Sequence, residues 1–500
     1  MKTIRKFVFA TSIAISSLFA TEPLSVWIMP NGASPKEKLE QRLSIFTEKT
    51  GIPTEVQVLD WGEAWNRIST ALETGNDLPD VLQLGTTWIP YFASRGEIKS
   101  LNEWLDKIDE KRFVSVSWNT TKIDSDSIVY SIPWFIDIRP VLGNKAILKR
   151  NNITRKDLST YKGFVDVVKK INDKRESLED GTKIRAYAFP GKSDWNIPHN
   201  FAPWIWSNGG DFITKDDNGK WHANILSEKT LVGIAKYLNF VLDSLVNPEA
   251  LQTNTAQIVQ QFNAGELALI VNTAEIVMQT RYNESEGGLA NTKIGKDSII
   301  VLPIPRGDEG SISFIGGSNL AIPSKNNRPE ALDLLLFLTN DENQDAYTKQ
   351  IGFLPTSKKV LANWAEDESY KILVEALETG KTYSAIPEWG DIEQKLVAMF
   401  SAVWDHLEIP ALYSEEKLYQ IFMDYTQEIN KILDYPFTKA VTFAEFQDIW
   451  HKTLSIEEKT GPESTSPTDT EHIKNNLRIA PWIFALMVLL GFIVSFKRKK

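Results

Sequence analysis

The 500-residue chain contains no cysteine. That absence excludes disulfides, thiolate nucleophiles and zinc sites built on cysteine. Histidine is scarce too: His199, His222, His406, His451 and His472 are all there is, and no two stand at a metal-ligand spacing such as i, i+4. No Gly-rich loop ending in Lys-Ser/Thr occurs, nor a Gly-x-Ser-x-Gly elbow, so neither P-loop hydrolysis nor that type of serine chemistry is expected. Basic excess is likewise missing. Lys and Arg number 55 against 65 Asp and Glu, a net charge of −10, which argues against a nucleic-acid partner. Acidic pairs such as Asp137 and Glu275 have the chemistry of a hydrolase acid and base, but so acidic a chain holds many such pairs. No catalytic residue, metal or cofactor is expected.

What the chain has in quantity is tryptophan, 16 in all. Any one of them can serve a core. An excess suits a pocket for sugars, whose C–H faces pack on flat rings while their hydroxyls take hydrogen bonds.

The two ends are distinctive. Lys2, Arg5 and Lys6 precede an apolar run from Phe7 to Ala20, the build of a secretory signal peptide occupying residues 1–20. Near the other end, Ile479 to Phe496 carries no charge and is followed by Lys497-Arg498-Lys499-Lys500. As a helix this run would be ~27 Å long, close to the hydrocarbon thickness of a bilayer. The four terminal cations place the tail, 497–500, in the cytoplasm by the positive-inside rule. Residues 477–496 are therefore predicted to be a transmembrane helix anchoring the chain to the membrane, and the polar, Pro/Ser/Thr-rich stretch 456–476 a flexible stalk. The folded body is expected on the extracytoplasmic side.

Within the body, strand-like segments alternate with helical ones. Leu24 to Met29 reads as a strand, Lys36 to Lys49 as a helix ended by Gly51, Thr54 to Leu59 as a strand, Gly62 to Glu73 as a helix, and Pro79 to Leu84 as a third strand. This order predicts an α/β unit with a mostly parallel sheet. Further strands are expected at Ile128–Pro133, Gly265–Val271, Ser298–Pro303 and Ala321–Pro323, with helices at Glu228–Leu245, Thr255–Asn263 and Pro329–Thr339. Trp195 to Phe212, rich in aromatics, Asn and Gly, is expected to line a pocket.

Five ordered stretches resemble the extracellular solute-binding family 1 of ABC importers, the group that includes the maltose-binding protein. They are VWIMPNG (26–32), LDWGEAWNRI (59–68), LPDVLQLGTTWIPYFASRGEIKSL (78–101), YSIPWFIDIRPVLGN (130–144) and FIGGSNLAIPSKN (314–326). The Gly265-Glu-Leu-Ala-Leu269 strand and the turn Gly352-Phe-Leu-Pro355 fit as well. The resemblance implies an α/β fold of the type II periplasmic-binding-protein kind, with two lobes, a hinge and a ligand cleft between them. It puts the first lobe at 21–137 and 319–362 and the second at 138–318 and 363–455. The segments near 133–139 and 314–319 would form the hinge, with Gly316 and Gly317 in the second. The implied function is capture of a sugar or oligosaccharide and its delivery to ABC permease subunits. A subunit sensing ligand for a signalling partner, or a membrane-anchored glycosidase, are the rival readings.

The resemblance also implies roles residue by residue. Asn31 lies on the first loop, and Trp61 and Trp88 resemble stacking residues of the first lobe. Thr86 and Thr87 precede Trp88 and offer hydroxyl contacts or a helix cap. Asp137 matches a family acidic position at the crossover, with Arg139 two residues on and Trp134 in the same segment. His199 and Asn208 belong to the aromatic-rich stretch, Gly316, Gly317 and Asn319 lie where the family's backbone nears the ligand, and Trp389 is a late platform. The sequence departs from the pattern after the Gly265 strand. The family commonly carries a Gly-Pro-Trp or Gly-x-Trp turn there, and this chain reads Val271-Asn272-Thr273-Ala274-Glu275. Glu275 in place of an aromatic weakens stacking and favours hydrogen bonds, and leaves a cationic or amino-bearing solute open as the ligand.

Overall fold

The computed structural model describes residues 22–455 apart from 193, 247, 284, 286–287, 296 and 437–440. The predicted signal segment, stalk, membrane helix and tail lie outside the described residues. Among the described residues, no helix is long and apolar enough to cross a membrane. The chain divides into two units, Met1–Leu454 and Ser455–Lys500, and the description below concerns the first.

Twelve strands form three sheets among the described residues. They are β1 (Leu24–Ile28), β2 (Thr54–Val58), β3 (Val81–Gly85), β4 (Ile132–Ile138), β5 (Val141–Asn144), β6 (Arg185–Ala188), β7 (Ile213–Lys215), β8 (Trp221–Ala223), β9 (Leu267–Val271), β10 (Ile299–Leu302), β11 (Ile315–Ala321) and β12 (Leu354–Pro355). The first sheet runs β12-β4-β11-β3-β1-β2, the second β10-β5-β9-β6, and β7 and β8 make a hairpin. In the first sheet β1 pairs parallel with β2 and β3, whereas β11 runs antiparallel to both β3 and β4.

Burial follows position in the sheet. Central β1 is almost wholly buried, as a strand covered on both faces must be, while edge strand β2 exposes Glu55 and Gln57. One face of the first sheet is packed by the helices Pro35–Thr50 and Glu330–Thr339 through Leu39, Leu43, Phe46, Leu334 and Leu335. The other is packed by Trp61–Thr74 and Ile89–Ser94 through Ala64, Ile68, Leu72 and Phe92. The second sheet anchors the largest core, where Phe201 stacks on Phe400 with centroids 3.7 Å apart and Trp204, Tyr237 and Trp404 fill the surroundings.

Two strands depart most from their predicted ranges. The strand expected at Ile128–Pro133 is instead β4, Ile132–Ile138, which runs on past Pro133 although proline has no N–H to give a ladder. The ladder absorbs the proline through a register shift, in which Asn319 faces Pro133 and Ser318 faces Phe135. Pro133 O accepts from Gln344 Nε2 at 3.3 Å and Thr356 Oγ1 at 3.1 Å. The partner strand β11 starts at Ile315, earlier than the predicted Ala321–Pro323, because Gly316 and Gly317 join the ladder.

β4 and β11 pair from Ile132 opposite Leu320 to Ile138 opposite Ile315, and both then leave the first sheet at the same end. Arg139 and Pro140 carry the chain directly into β5 of the second sheet. Beneath this crossing, Ile136, Ile138, Leu142, Ile270, Ile315, Leu354 and Leu373 form one continuous apolar cluster that touches both sheets.

Candidate ligand site

On the first-sheet side, the loops after β2 and β3 gather three indoles. Asp60 caps the helix Trp61–Thr74, its carboxylate accepting from Gly62 N at 2.8 Å, and so fixes where Trp61 begins. Trp61 donates through Nε1 to Pro30 O at 3.2 Å. One turn on, Trp65 projects from the same face. Trp88 meets Trp61 edge-on at 5.7 Å and Trp65 at 5.3 Å, and Trp65 also packs on Tyr91 at 4.8 Å. All three indoles are half-buried. Trp65 Cη2 lies 3.5 Å from where a Cβ on Gly390 would stand, at the start of the helix Trp389–Leu407.

A narrow groove of about 10 Å³ lies next in the chain to Trp88, lined by Thr86, Thr87, Thr120, Phe314, Thr382 and Tyr383. Thr86 N donates to Gly317 O at 3.1 Å, which ties the β3 loop to β11. Neither threonine caps the helix that follows: Trp88 is its N-cap residue, with no side-chain bond there.

On the second-sheet side, the site is built around Arg139. Its side chain is 3% exposed, and Nη2 reaches Asp137 Oδ2 at 3.3 Å. The guanidinium lies 5.3 Å from the Phe314 ring centroid and 5.8 Å from that of Trp195. His199 stacks on Phe314 with centroids 4.4 Å apart, exchanges a hydrogen bond of 2.7 Å with Tyr383 OH, and brings Nε2 to 3.8 Å from Glu393 Oε1. Trp195 stands 59% exposed, an unusual position for an indole in a chain whose other large rings are mostly packed away.

Burial shapes the electrostatics. Desolvation holds the His199 imidazole well below its usual range, with the Arg139 charge adding to the effect, so it is neutral near pH 7. Desolvation raises the Asp137 carboxyl against the opposing pull of Arg139. Burial pushes Glu275 up to about 7, helped by the charge of Asp137 and opposed by Thr273 and Arg139. Glu393 is likewise pushed up to about 7 by burial, against the field of Arg139. Two atoms at the centre, Asp137 Oδ1 and Arg139 Nε, are buried without a hydrogen-bond partner.

The structure thus gathers Asp137, Arg139 and His199, with the Asp137 charge felt by Glu275, and Thr86 and Thr87 across the groove. Gly316 faces Asp137 in the ladder, and a Cβ on it would stand 4.0 Å from Asp137 Oδ2. Trp61 and Trp88 join the indole cluster.

Other expected residues do different work. Trp134 is wholly buried and stacks on Tyr347 at 4.8 Å, because the irregularity at Pro133 turns it into the core. Asn31 is spent on Gln83 and Tyr347, bonding Gln83 Oε1 at 2.9 Å and Nε2 at 3.1 Å, and Gln83 goes on to Ser318 Oγ at 2.8 Å. Asn319 bonds Thr120 and Ser131, both at 3.1 Å, satisfying polar groups that burial would otherwise orphan. Asn208 closes a helix, donating to Trp204 O at 2.7 Å and accepting from Lys236 Nζ at 2.6 Å. Trp389 is 1% exposed and backs Tyr383 at 4.4 Å, so the ring nearer the groove is the tyrosine. Gly317, at φ +133°, faces the backbone of β4 rather than open space: a Cβ there would come within 2.2 Å of Phe135 O.

Sequence reasoning placed Trp195 in a pocket-lining stretch without singling it out, and missed Trp65, Phe314, Tyr383 and Glu393. Trp65 was signalled by its i, i+4 spacing from Trp61, and Glu393 by the same spacing from Trp389. Phe314 opens the stretch FIGGSNLAIPSKN (314–326), whereas nothing local marked Tyr383, which reaches the site through tertiary packing.

A family model described as bacterial extracellular solute-binding protein matches residues 41–372. The diacetylchitobiose-binding protein DasA of Streptomyces coelicolor is 26% identical over 381 residues, covering 75% of this chain and 83% of its own. Among solved structures, an ABC transporter solute-binding protein of Thermotoga lettingae bound with α-D-tagatose superposes with a TM-score of 0.69 at 22% identity, over 83% of this chain and 100% of its own. Maltose-bound MalE3 of T. maritima gives a TM-score of 0.68 at 19% identity, over 82% and 99%.

Proposed function

The chain belongs to the bacterial extracellular solute-binding proteins, and from that premise we propose that it captures a sugar or oligosaccharide for an ABC importer. The observation that carries this reading is the pairing of flat rings with hydroxyl-ready polar groups. Trp61, Trp65 and Trp88 stand on the first-sheet side, Asp137 at the end of β4 where the chain crosses over, and Trp195, Arg139 and Tyr383 beyond the crossing. Rings take the apolar faces of a pyranose, and the carboxylate takes its hydroxyls. The sugar-binding names of DasA and of the tagatose- and maltose-bound structures support it.

In this reading, residues 21–137 with 319–362, and 138–318 with 363–455, act as lobes closing about the paired strands β4 and β11. Ligand drives closure only if it binds the closed form better, which follows when each lobe supplies part of the contact set. The closed form would then dock on the permease. The stretch 477–496, read from sequence, would hold the body at the outer membrane face. The relatives are binding proteins, which favours capture without turnover.

Thermal shift with mono- to tetrasaccharides of glucose, mannose, galactose and N-acetylglucosamine tests the reading. A concentration-dependent rise in Tm with one of them is expected. No rise with any of them, alongside one with peptides or polyamines, would refute the saccharide assignment.

A further inference from the structure

Charge at the centre of the site does not balance. Asp137, Glu275 and Glu393 are three carboxyls that feel the charge of a single buried guanidinium, Arg139, whose one hydrogen-bonded partner in the group is Asp137. His199, 3.8 Å from Glu393, is held neutral and supplies no compensating charge. Lys38 acts on Glu275 from the first-sheet side, but as the smallest of its influences and with its ammonium on Gln350 O at 2.9 Å. Asp211, whose field also reaches Tyr383, is engaged by Lys381.

A second feature is independent of the charge count. Arg139 is 97% buried, since 3% of its side chain is exposed, and its Nε–H finds no acceptor; Asp137 Oδ1, beside it, finds no donor. Buried polar atoms are rarely left so, and an unpaired donor next to an unpaired acceptor is a template for a molecule bearing both. Trp195, exposed above the guanidinium, gives the wall against which such a molecule would lie.

We propose that this site selects an amino saccharide, whose protonated amine is received among the carboxylates grouped around Arg139 while a ring oxygen or hydroxyl accepts from Arg139 Nε. The proposal rests on the saccharide reading above and narrows it. An ammonium brings the positive charge that the three carboxyls lack. A neutral sugar brings none, and leaves Glu275 and Glu393 holding protons up to about pH 7.

Calorimetry on the full-length protein in mild detergent at pH 7.5 decides this with three β-1,4 disaccharides differing only at C2: cellobiose (hydroxyl), diacetylchitobiose (acetamide) and chitobiose (amine). Chitobiose is expected to bind at least about tenfold more tightly than the other two, since a paired charge in a poorly solvated site outweighs an exposed one. That ratio is expected to shrink in Glu393→Gln and in Glu275→Gln, with folding checked by melting. Equal or weaker binding of chitobiose, with cellobiose or diacetylchitobiose still bound, overturns the amine assignment and leaves the saccharide reading intact. An unchanged ratio in both variants also overturns it. Failure of these three and of the whole saccharide panel removes both readings together.

Discussion

Arg139 reaches back along its own chain to Asp137, Nη2 to Oδ2 at 3.3 Å, at the point where the polypeptide leaves one sheet for the other. In the proposed reading, closure about β4 and β11 and contact with the ligand would draw on the same few residues.

Breaking this pair from one side is expected to be costly. Asp137→Ala leaves a guanidinium with 3% side-chain exposure without its anion, and a loss of about 3 kcal/mol is expected from buried pairs of this kind. Urea unfolding of the variant checks it, and an unchanged midpoint would mean the charge is solvated after all.

Gly317 and Gly310 both hold positive φ, at +133° and +107°, but only Gly317 is hemmed in. A Cβ at Gly317 would fall 2.2 Å from Phe135 O, whereas nothing lies within 4 Å at Gly310. Gly317→Ala should therefore lose about 3 kcal/mol or more through forced separation of β4 and β11, and Gly310→Ala only about 1. Melting temperatures of the two variants side by side give the comparison.

The tryptophans divide into two classes by placement. Trp88→Ala should weaken saccharide binding about tenfold by removing one ring of the half-buried cluster. Trp134→Phe should lower Tm and leave Kd unchanged, because Trp134 is packed on Tyr347 away from the groove. If the two variants traded outcomes, the assignment of surfaces would be reversed.

Stability should fall as pH rises from about 4.5 to about 7 through Glu275 and Glu393. Each carboxyl's folded value is raised from 4.5 to about 7, so in that window the folded chain holds protons the unfolded chain has released. The folded state's advantage is full below the unfolded value and gone above the folded one. For Glu393 this amounts to at most about 3 kcal/mol. The groups facing these carboxyls are Asp137, Arg139, Lys38, Thr273, His199, Tyr383 and Trp389. Urea midpoints at pH 5 and pH 8 should differ less in the Glu275→Gln, Glu393→Gln double variant than in the parent, and an identical pH slope would disprove the assignment.

Periodicity and turn residues made much of the body legible in advance. Helices were expected at Lys36–Lys49, Gly62–Glu73 and Thr255–Asn263, and the structure has Pro35–Thr50, Trp61–Thr74 and Thr255–Asn263. Their apolar spacing, Asp60 cap and terminal Gly51 and Gly75 are local signals that tertiary packing had no reason to override. The strand expected to end at Pro133 runs on to Ile138, where the register shift against β11 and the side chains of Gln344 and Thr356 accommodate the proline.

The composition of the site divides along the same line. Asp137 and Arg139 lie two residues apart, so the sequence alone could pair them; Trp61 and Trp88 follow strands, so their loops could be assigned. By contrast, Asn31, Trp134, Asn208 and Asn319 stood in the right motifs, yet the fold used them to satisfy or fill its interior, a decision that depends on what lies across the sheet. Phe314 is set beside Arg139 by the β4–β11 pairing, its carbonyl accepting from Arg139 N at 3.2 Å, whereas Glu393 and Tyr383 come from segments distant in sequence and meet His199 only through tertiary packing. Local propensity depends on neighbours along the chain, whereas burial and the charge it perturbs depend on neighbours in space, and those exist only once the sheets have packed.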